Sequence, residues 1–409
     1  MNQTPSAERL HITVFGKRNT GKSSLINAIT HQETSLVSDM PGTTTDPVRK
    51  AMEIPGLGPC IFTDTAGFDD DAEGIGAGRV WLAAKAMDGT DIAIMIFRDC
   101  DPEEKEWYGR LSGKGIPVIP VINTGGPHGA HPQNDLARTA RYAESLCREK
   151  PVTVNPLTGE GIENLFSAVL HRLPDATPHR SITGGLVREG DTVMLVMPQD
   201  SQAPKGRLIL PQVQTIRELL DRKCTVVCCT AGDAEKTIGR LSVRPDLIIT
   251  DSQAFPEAMA AKPEGCRITS FSVLFAAYKG DIRTFTQGAK AMERLNDSSR
   301  VLIAEACTHA PAAEDIGRVK IPGMLRRRFG QGMRIDTASG NDFPQDLSAY
   351  DLIIHCGACM FNRRYVLDRI ASARRQGIPI TNYGIAIAWL TGILDSITLP
   401  EPCPGEGPE

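Results

Sequence analysis

The chain has 409 residues with a formal net charge of −4, which is long enough for two or three domains with separate hydrophobic cores. The slightly acidic balance argues against nucleic acid as a partner, because phosphate-binding proteins usually carry a basic excess. Eleven cysteines without paired spacing or a signal peptide predict a reducing cytoplasm, and no apolar stretch approaches the roughly 20 residues that cross a bilayer.

The first motif in the chain is a phosphate-binding loop between a predicted strand and a predicted helix. The strand covers residues 11–15, and the loop matches the pattern G-x-x-x-x-G-K-S. The motif requires backbone N–H groups and a helix N-terminus around the phosphates, so this setting predicts nucleotide binding. Lys22 is expected to reach the β- and γ-phosphates, and Ser23 to hold Mg²⁺. The predicted nucleotide-binding residues are Gly16, Asn19, Thr20, Gly21, Lys22, Ser23, Ser24 and, further along the chain, Asn123.

Two further stretches follow in the order expected of a GTPase switch. A polar loop contains Thr44, whose hydroxyl can close over Mg²⁺ when the γ-phosphate is present. A later strand ends in D-T-A-G, where Asp64 would bind the metal and the Gly67 amide would donate to the γ-phosphate. Either stretch alone is compatible with an ordinary turn. Together with Lys22, these residues form the predicted catalytic set.

These motifs resemble the bacterial GTPases that include TrmE and Era. Phe68 follows D-T-A-G, so no glutamine stands there to orient water, and slow turnover is expected. The resemblance implies a potassium ion at Asn19, although a turn-forming asparagine explains this residue equally well. Of the base-reading motif N-K-x-D only Asn123 is present, followed by Thr124 and two glycines. The sequence therefore predicts a GTPase with weakened selectivity for guanine.

The order of apolar runs and helical segments predicts an α/β protein with three domains. The nucleotide domain is expected over residues 1–174. Residues 179–262 predict a small parallel α/β domain without a catalytic constellation, which would be an assembly surface or a spacer. Residues 266–398 predict a third α/β domain, and residues 399–409, rich in proline, glycine and glutamate, are expected to be disordered.

Two groups of metal-binding side chains follow two apolar runs of the third domain. Cys307-Thr308-His309 comes after one predicted strand, and His355-Cys356-Gly357-Ala358-Cys359 comes after another. If these strands are parallel neighbours, three thiols and two imidazoles converge at the carboxyl ends, where open α/β sheets bind ligands. A helix predicted over residues 362–376 would begin close to the second group, where its dipole favours thiolates.

This ligand set is compatible with iron and with zinc. Three thiolates, with a fourth position left to an imidazole, a carboxylate or solvent, suit a 4Fe–4S cluster with one open iron or a Cys3His zinc site. A lone redox-active or structural C-x-x-C is the simpler alternative. The second ligand group at the end of another strand argues against it.

The phosphate-loop GTPase, the middle α/β segment and the C-terminal C-x-H and H-C-x-x-C groups together resemble HydF, the family of FeFe-hydrogenase maturation GTPases, over nearly the full length. The resemblance implies a 4Fe–4S cluster held by three cysteines, with a labile fourth position for which three side chains are candidates. The cysteines are Cys307, Cys356 and Cys359, and the candidates are His309, His355 and Glu305. It also implies that radical-SAM maturases build a diiron subcluster precursor, which binds here transiently and passes to apo FeFe-hydrogenase. GTP and GDP would regulate these contacts, and the middle domain would form a homodimer.

Two other functions fit parts of the sequence. A regulatory GTPase with a structural zinc site, acting in RNA modification or ribosome assembly, would be a colourless protein with four protein ligands on its metal. An iron–sulfur enzyme with a vestigial nucleotide domain gains support from the incomplete N-K-x-D motif, but no general acid–base pair is apparent near the cysteines. The order of the motifs favours the maturation scaffold, a cytoplasmic protein whose partners include neither nucleic acid nor a membrane.

Overall fold

The structure is a computed structural model. It describes residues 9–30, 49–54, 58–68, 75–125, 133–172, 181–198, 208–306, 315–358 and 361–401. The chain divides into two compact units, Met1–Thr177 and Pro178–Glu409. Within the described ranges, no helix has both the length and the apolar character needed to span a bilayer.

The first unit is built on one six-stranded sheet with the order β2-β3-β1-β4-β5-β6. Every pair of neighbours is parallel except β2 with β3. Helices cover the sheet, which explains why a strand such as β4 is an uninterrupted run of buried apolar residues. The elements are β1 (Leu10–Gly16), α1 (Lys22–Thr30), β2 (Arg49–Ile54), β3 (Gly58–Asp64), α2 (Ile75–Ala86), β4 (Ile92–Ile96), α3 (Pro102–Gly113), β5 (Val118–Asn123), α4 (Gln133–Cys147), β6 (Val152–Val154) and α5 (Ile162–Arg172).

The second unit begins with a parallel four-stranded sheet of order β10-β9-β7-β8. Its elements are β7 (Thr192–Val196), α6 (Leu210–Asp221), β8 (Thr225–Cys229), α7 (Ala234–Ile238), β9 (Leu247–Thr250), α8 (Phe255–Ala261), β10 (Arg267–Ser270) and α9 (Phe271–Lys279). The predicted domain boundary at residues 262–266 divides this sheet, because Arg267 in β10 pairs with Leu247 in β9. The segment between α8 and β10 is a tight turn, and it contains the proline and glycine that are also typical of a linker between domains.

A second parallel four-stranded sheet follows, with the order β12-β11-β13-β14. Its elements are α10 (Ile282–Lys290), β11 (Arg300–Glu305), α11 (Ile321–Phe329), β12 (Arg334–Ser339), β13 (Leu352–His355), α12 (Arg363–Arg375), β14 (Ile380–Asn382) and α13 (Tyr383–Leu390). One hydrophobic core joins the two sheets, from Met194 in β7 to Ile397 near the end of the chain. The predicted α/β class is confirmed.

The predicted disordered tail starts too early. Leu399 packs against the hydrophobic core, and Pro400 is buried against Gly184, where an added Cβ would lie 3.2 Å from the proline Cβ. The Thr398 amide donates to the Ile268 carbonyl at 2.7 Å, which fixes the chain just before this point. Residues 402–409 lie outside the described residues.

Candidate nucleotide site and thiol site

The phosphate-binding loop is held in place by Asn123, the residue that remains of the N-K-x-D motif. Its Nδ2 donates to the Thr20 carbonyl at 2.9 Å, and its Oδ1 accepts the Gly125 amide at 2.9 Å. A Cβ at Gly21 would lie 2.1 Å from the Asn123 Nδ2, and Gly21 has a φ of +87°. Glycine is therefore required here, because only glycine allows both this approach and this backbone conformation.

The Lys22 ammonium lies inside the loop. Its Nζ donates to the carbonyl oxygens of Gly16 at 3.0 Å and Lys17 at 2.7 Å, and the side chain is buried. The Thr20 hydroxyl also donates to the Lys17 carbonyl, at 2.8 Å. Ser24 is exposed in the first turn of α1. The loop thus presents a cation and a helix N-terminus together, as phosphate binding requires.

The two predicted Mg²⁺ ligands that the structure describes lie in contact. The Ser23 hydroxyl donates to Asp64 Oδ2 at 2.5 Å. Asp64 Oδ1 is buried and has no hydrogen-bond partner among the described residues, and burial raises the pKa of this carboxyl. A buried carboxylate oxygen without a donor, beside a hydroxyl, is a fitting environment for a hard divalent cation.

The remaining predicted residues of the nucleotide site are only partly described. Gly67 is buried just after β3, where the neighbouring Thr65 hydroxyl donates to the Val14 carbonyl at 2.7 Å. Thr44 lies outside the described residues. Asn19 has a left-handed backbone with a φ of +56°, which asparagine tolerates better than most residues. Its carbonyl accepts the Arg98 Nη1 at 3.3 Å, and potassium binding at Asn19 stays a prediction.

A second asparagine packs against the residues that follow β5. Asn155 Oδ1 accepts the amides of Leu157 at 3.0 Å and Thr158 at 3.3 Å. A Cβ at Gly125 would lie 2.1 Å from the same oxygen, so the loop after β6 packs directly on this glycine. Residues 123–125 carry no carboxylate that could read guanine.

Sequence reasoning missed the role of Lys17. Its buried Nζ lies 3.4 Å from Asp99 Oδ2 and 3.0 Å from Glu103 Oε2, and it also pairs with Asp101. These contacts tie the phosphate loop to the start of α3, whose N-terminus Asp101 caps by accepting the Glu104 amide at 3.1 Å. The signal in the sequence was the three acidic residues at alternate positions after β4.

In the second unit, β11 and β13 are parallel neighbours, with Ala304 opposite His355, which is the arrangement on which convergence of the two ligand groups depends. Cys356 follows directly, and its Sγ accepts two backbone amides, from Ala306 at 3.0 Å and from Ala358 at 3.4 Å. Ala358 has a left-handed backbone with a φ of +47°. Two N–H groups directed at one sulfur favour the thiolate over the thiol.

His355 is fully buried and both ring nitrogens have partners. Nε2 lies 3.0 Å from Arg369 Nη1, and Nδ1 lies 2.6 Å from the Cys356 carbonyl. Because a guanidinium only donates, Nε2 is the acceptor, and Nδ1 carries the proton that goes to the carbonyl. Burial and the neighbouring guanidinium lower the pKa of His355 to about 3. The ring is therefore neutral and has no lone pair left for a metal in this conformation.

Glu305 closes the other side of the strand ends. Its carboxylate accepts Arg318 Nη2 at 2.8 Å and the Ser339 hydroxyl at 2.9 Å. Arg318 is partly exposed while Glu305 is buried. Tyr383 lies nearby with its hydroxyl buried and without a hydrogen bond among the described residues, and burial raises its pKa. Polar groups from several elements thus surround the end of β11.

Three of the predicted ligands, Cys307, His309 and Cys359, lie outside the described residues. Within the described part of the chain, no three histidine, cysteine, aspartate or glutamate side chains form a metal-binding group. The predicted helix after the second ligand group is observed as α12, with Asn362 accepting the Tyr365 amide at 3.3 Å as its N-cap. Cys356 therefore lies in the loop that leads into this helix.

Comparison with known families divides the chain into three matched segments. Residues 283–399 match the hydrogen maturase F tetramerization domain, and residues 182–280 match the hydrogen maturase F dimerization domain. Residues 11–124 match the family of 50S ribosome-binding GTPases. The chain belongs to the hydrogen maturase F (HydF) family. The resemblance found in the sequence is confirmed, and the order of a GTPase domain followed by two HydF domains is that of the predicted fold.

The curated relatives of this HydF chain include several GTPases. The tRNA modification GTPase MnmE of Hamiltonella defensa is 33% identical over 168 residues, which are 39% of this chain and 34% of that protein. GTPase Der of Wolinella succinogenes is 34% identical over 179 residues, 42% of this chain and 37% of that protein. GTPase Era of a Geobacter species is 26% identical over 272 residues, 60% of this chain and 89% of that protein. The HydF chain thus spans about a third of the length of the MnmE proteins that it matches.

Among solved structures, the HydF chain overlaps with Era in complex with MgGDPNP and a segment of 16S ribosomal RNA. The TM-score is 0.34 and the identity 18%, over 61% of this chain and 97% of that chain.

Proposed function

We propose that this HydF-family protein carries a 4Fe–4S cluster with an exchangeable fourth position. It holds the diiron subcluster precursor of an FeFe-hydrogenase there and delivers it to the apo-enzyme. GTP binding and hydrolysis in the N-terminal domain regulate its contacts with the radical-SAM maturases and with apo-hydrogenase.

The observation that carries this proposal is the setting of the Cys356 sulfur. The two amides that bond it belong to Ala306 and Ala358, which immediately precede Cys307 and Cys359 in the sequence. Consecutive Cα atoms are only about 3.8 Å apart, so the chain allows both thiols to approach Cys356 without rearrangement of the sheet. Three thiolates at one point suit an iron–sulfur cluster that lacks a fourth cysteine.

The candidate ligands for the fourth position differ in the contacts that each would lose on binding the metal. His355 would have to break its bond with Arg369 and turn its ring inside the core. Glu305 would exchange an ion pair with a partly exposed arginine for the metal, which costs less because water can solvate the released Arg318. Glu305 therefore fits an exchangeable position better than His355. His309 stays a candidate from the sequence.

In the nucleotide site, Mg²⁺ would neutralise the charge that develops on the β- and γ-phosphate oxygens. Ser23 and Asp64 are in place to hold it, and Thr44 is the third predicted ligand. Lys22 exchanges its two carbonyl partners for phosphate oxygens when nucleotide binds. Asn123, at the end of β5, holds the phosphate-binding loop through its bond to the Thr20 carbonyl. Base recognition is weak because no carboxylate follows Asn123.

The middle domain is suited to join two copies of the chain through β8. This strand ends its sheet, and no strand in the described part of the chain pairs with its outer side. Its five residues carry no charge, and none is fully buried. The neighbouring helix α6 exposes Val213 and Leu220, by 47% and 54%. An uncharged edge beside exposed apolar side chains is a surface that a second copy would cover.

Metal analysis after anaerobic purification tests the cluster. We expect a brown protein with about four iron and four sulfide per chain, and a colourless Cys356→Ala variant that has lost most of its iron. Cys100→Ala is the matched control, because it removes a half-buried thiol of the first unit. One zinc per chain without sulfide, or unchanged iron in Cys356→Ala, would overturn the cluster and support the structural-zinc alternative.

The regulatory role of the nucleotide needs a separate measurement. Pull-down titrations of the radical-SAM maturases and apo-hydrogenase with the GTP-bound and GDP-bound protein should give different affinities, because the switch loops order around the γ-phosphate. Equal affinities in the two states would remove regulation from the proposal. GTP hydrolysis in potassium compared with sodium, for the native chain and Asn19→Ala, tests the predicted ion.

A further inference from the structure

Helix α12 carries an arginine on its buried face. Tyr365, Val366, Ile370 and Ala373 form the apolar stripe of this helix, and Arg369 lies within it with only 5% of its surface exposed. Burying a guanidinium costs several kcal/mol unless hydrogen bonds replace its water. An apolar residue would fill this position at lower cost, so the contacts of Arg369 point to its role.

Aromatic rings and hydrogen-bond acceptors hold the Arg369 guanidinium in place. Its Cζ lies 4.6 Å from the centre of the Phe343 ring and 4.5 Å from that of Tyr365. Its nitrogens donate to the Gly340 carbonyl at 2.5 Å, to the Tyr365 hydroxyl and to His355 Nε2 at 3.0 Å. These contacts hold the guanidinium in a single orientation, toward the ends of β11 and β13.

One peptide group connects this charge to the cysteine. Arg369 Nη1 lies 3.4 Å from the Glu305 carbonyl oxygen, and the amide of the same peptide, on Ala306, donates to Cys356 Sγ at 3.0 Å. A cation at the carbonyl end of a peptide polarises it and makes its N–H a stronger donor. A second connection runs through His355, whose Nδ1–H bonds the Cys356 carbonyl and fixes the backbone there.

The first connection favours the reduced state of a metal group bound to Cys356, and the second holds the cysteine in the position that this requires. Hydrogen bonds to cluster sulfurs and nearby positive charge are among the features that set the reduction potential of an iron–sulfur cluster. We propose that Arg369 is a positioning residue that raises the reduction potential of the cluster, acting through the Glu305–Ala306 peptide and His355. This inference rests on the proposed function, because it requires that the cluster is present.

The test is a potentiometric titration of the one-electron cluster couple in the purified full-length protein, with dithionite as the electron donor. In Arg369→Gln we expect iron and sulfide close to native content and an equilibrium constant for reduction that falls about tenfold, equivalent to about 59 mV for one electron. The EPR spectrum of the reduced cluster should shift as well. Arg369→Lys keeps the charge without the fork of donors, so its potential should lie between the two.

Arg375→Gln is the matched control, since it removes the same charge from an exposed position on the same helix. Its potential should equal that of the native protein. A native potential in both Arg369 variants would overturn the inference, and so would a variant that folds but loses its iron with no change in the potential of the remainder. If Arg369→Gln does not fold, the lysine variant alone decides. A native protein without iron would refute the proposed function instead.

Discussion

The second unit contains two parallel four-stranded sheets with the same strand order and different residues at the strand ends. Numbered within each sheet, both run 2-1-3-4, as β8-β7-β9-β10 and as β12-β11-β13-β14. In this order the chain adds the second strand on one side of the first and the third strand on the other side. Open α/β sheets bind ligands at this switch point, beside the carboxyl ends of the first and third strands. In the second sheet Cys356 follows one of these strands. In the first sheet Met197 and Asp251 follow them, and Asp251 Oδ2 accepts Gln212 Nε2 at 2.9 Å.

The two sheets also differ in the charge of their edge strands β8 and β12. Strand β8 is uncharged, whereas β12 carries Arg334 and Asp336, and Asp336 pairs with Arg300 on β11 at 2.7 Å. Charged side chains on an edge strand discourage pairing with another chain. The proposed function therefore uses this fold in two ways, for cluster binding at the strand ends of the second sheet and for pairing of two copies at the edge of the first.

The largest effect should come from the thiols at the end of the second sheet. Cys307→Ala is expected to lose as much iron as Cys356→Ala, although the two residues are far apart in the sequence, because the proposed cluster takes one thiolate from each. Cys229→Ala is the control, since Cys229 ends β8 in the other sheet. Iron and sulfide analysis measures the outcome, and a Cys307→Ala protein with native iron would mean that the two ligand groups do not share a metal.

A smaller effect is expected where a helix packs on the second sheet. Gly288 in α10 approaches β14 so closely that a Cβ would lie 2.0 Å from the Ile380 carbonyl oxygen. Gly288→Ala should lower the free energy of unfolding by about 1–3 kcal/mol, since the helix must move away. Gly323→Ala in α11 meets nothing within 4 Å and should be neutral or stabilising by up to about 1 kcal/mol. Urea denaturation of both variants measures this, and equal stabilities would contradict the close approach.

The edge of the first sheet should respond to charge. Cys228→Lys places a charge on the exposed face of β8, and in a dimer that pairs these strands it should weaken self-association about tenfold, or about 1.4 kcal/mol. Cys228→Ser keeps the size and the neutrality, so it should leave the dimer intact. Sedimentation equilibrium gives both dissociation constants, and the iron content should not change. If the lysine variant dimerises as the native chain does, β8 is not the interface.

The smallest effect is expected at the charged edge of the second sheet. Arg300 and Asp336 are each about 40% exposed, so water screens their attraction. Arg300→Ala should therefore change the free energy of unfolding only slightly. Thermal denaturation at low and high salt measures this. A larger loss that persists at high salt would show that the pair is more than a solvated surface contact.

Several elements could be predicted because their signals are local. Asn362 and Gln376 bound α12 as its two caps, and helix capping depends on residues within one turn of the end. The metal-site hypothesis required β11 and β13 to be neighbours, because each apolar run ends in residues with shared chemistry, and the two strands do pair. The boundary at residues 262–266 failed because a turn within a sheet and a linker between domains use the same residues. Arg369 was missed, although an arginine on an apolar stripe is a visible signal.

The sequence by itself determined the phosphate loop, because its ligands are consecutive residues whose backbone forms the site wherever a strand leads into a helix. It also determined which side chains follow β11 and β13. Only the tertiary structure decided that Asn123 holds the loop from another strand, that His355 has no lone pair to offer, and that a buried guanidinium reaches Cys356 through a peptide. The reason is physical: hydrogen bonds in a buried site are directional and satisfied by residues distant in the chain, so packing, and not spacing, assigns the partners.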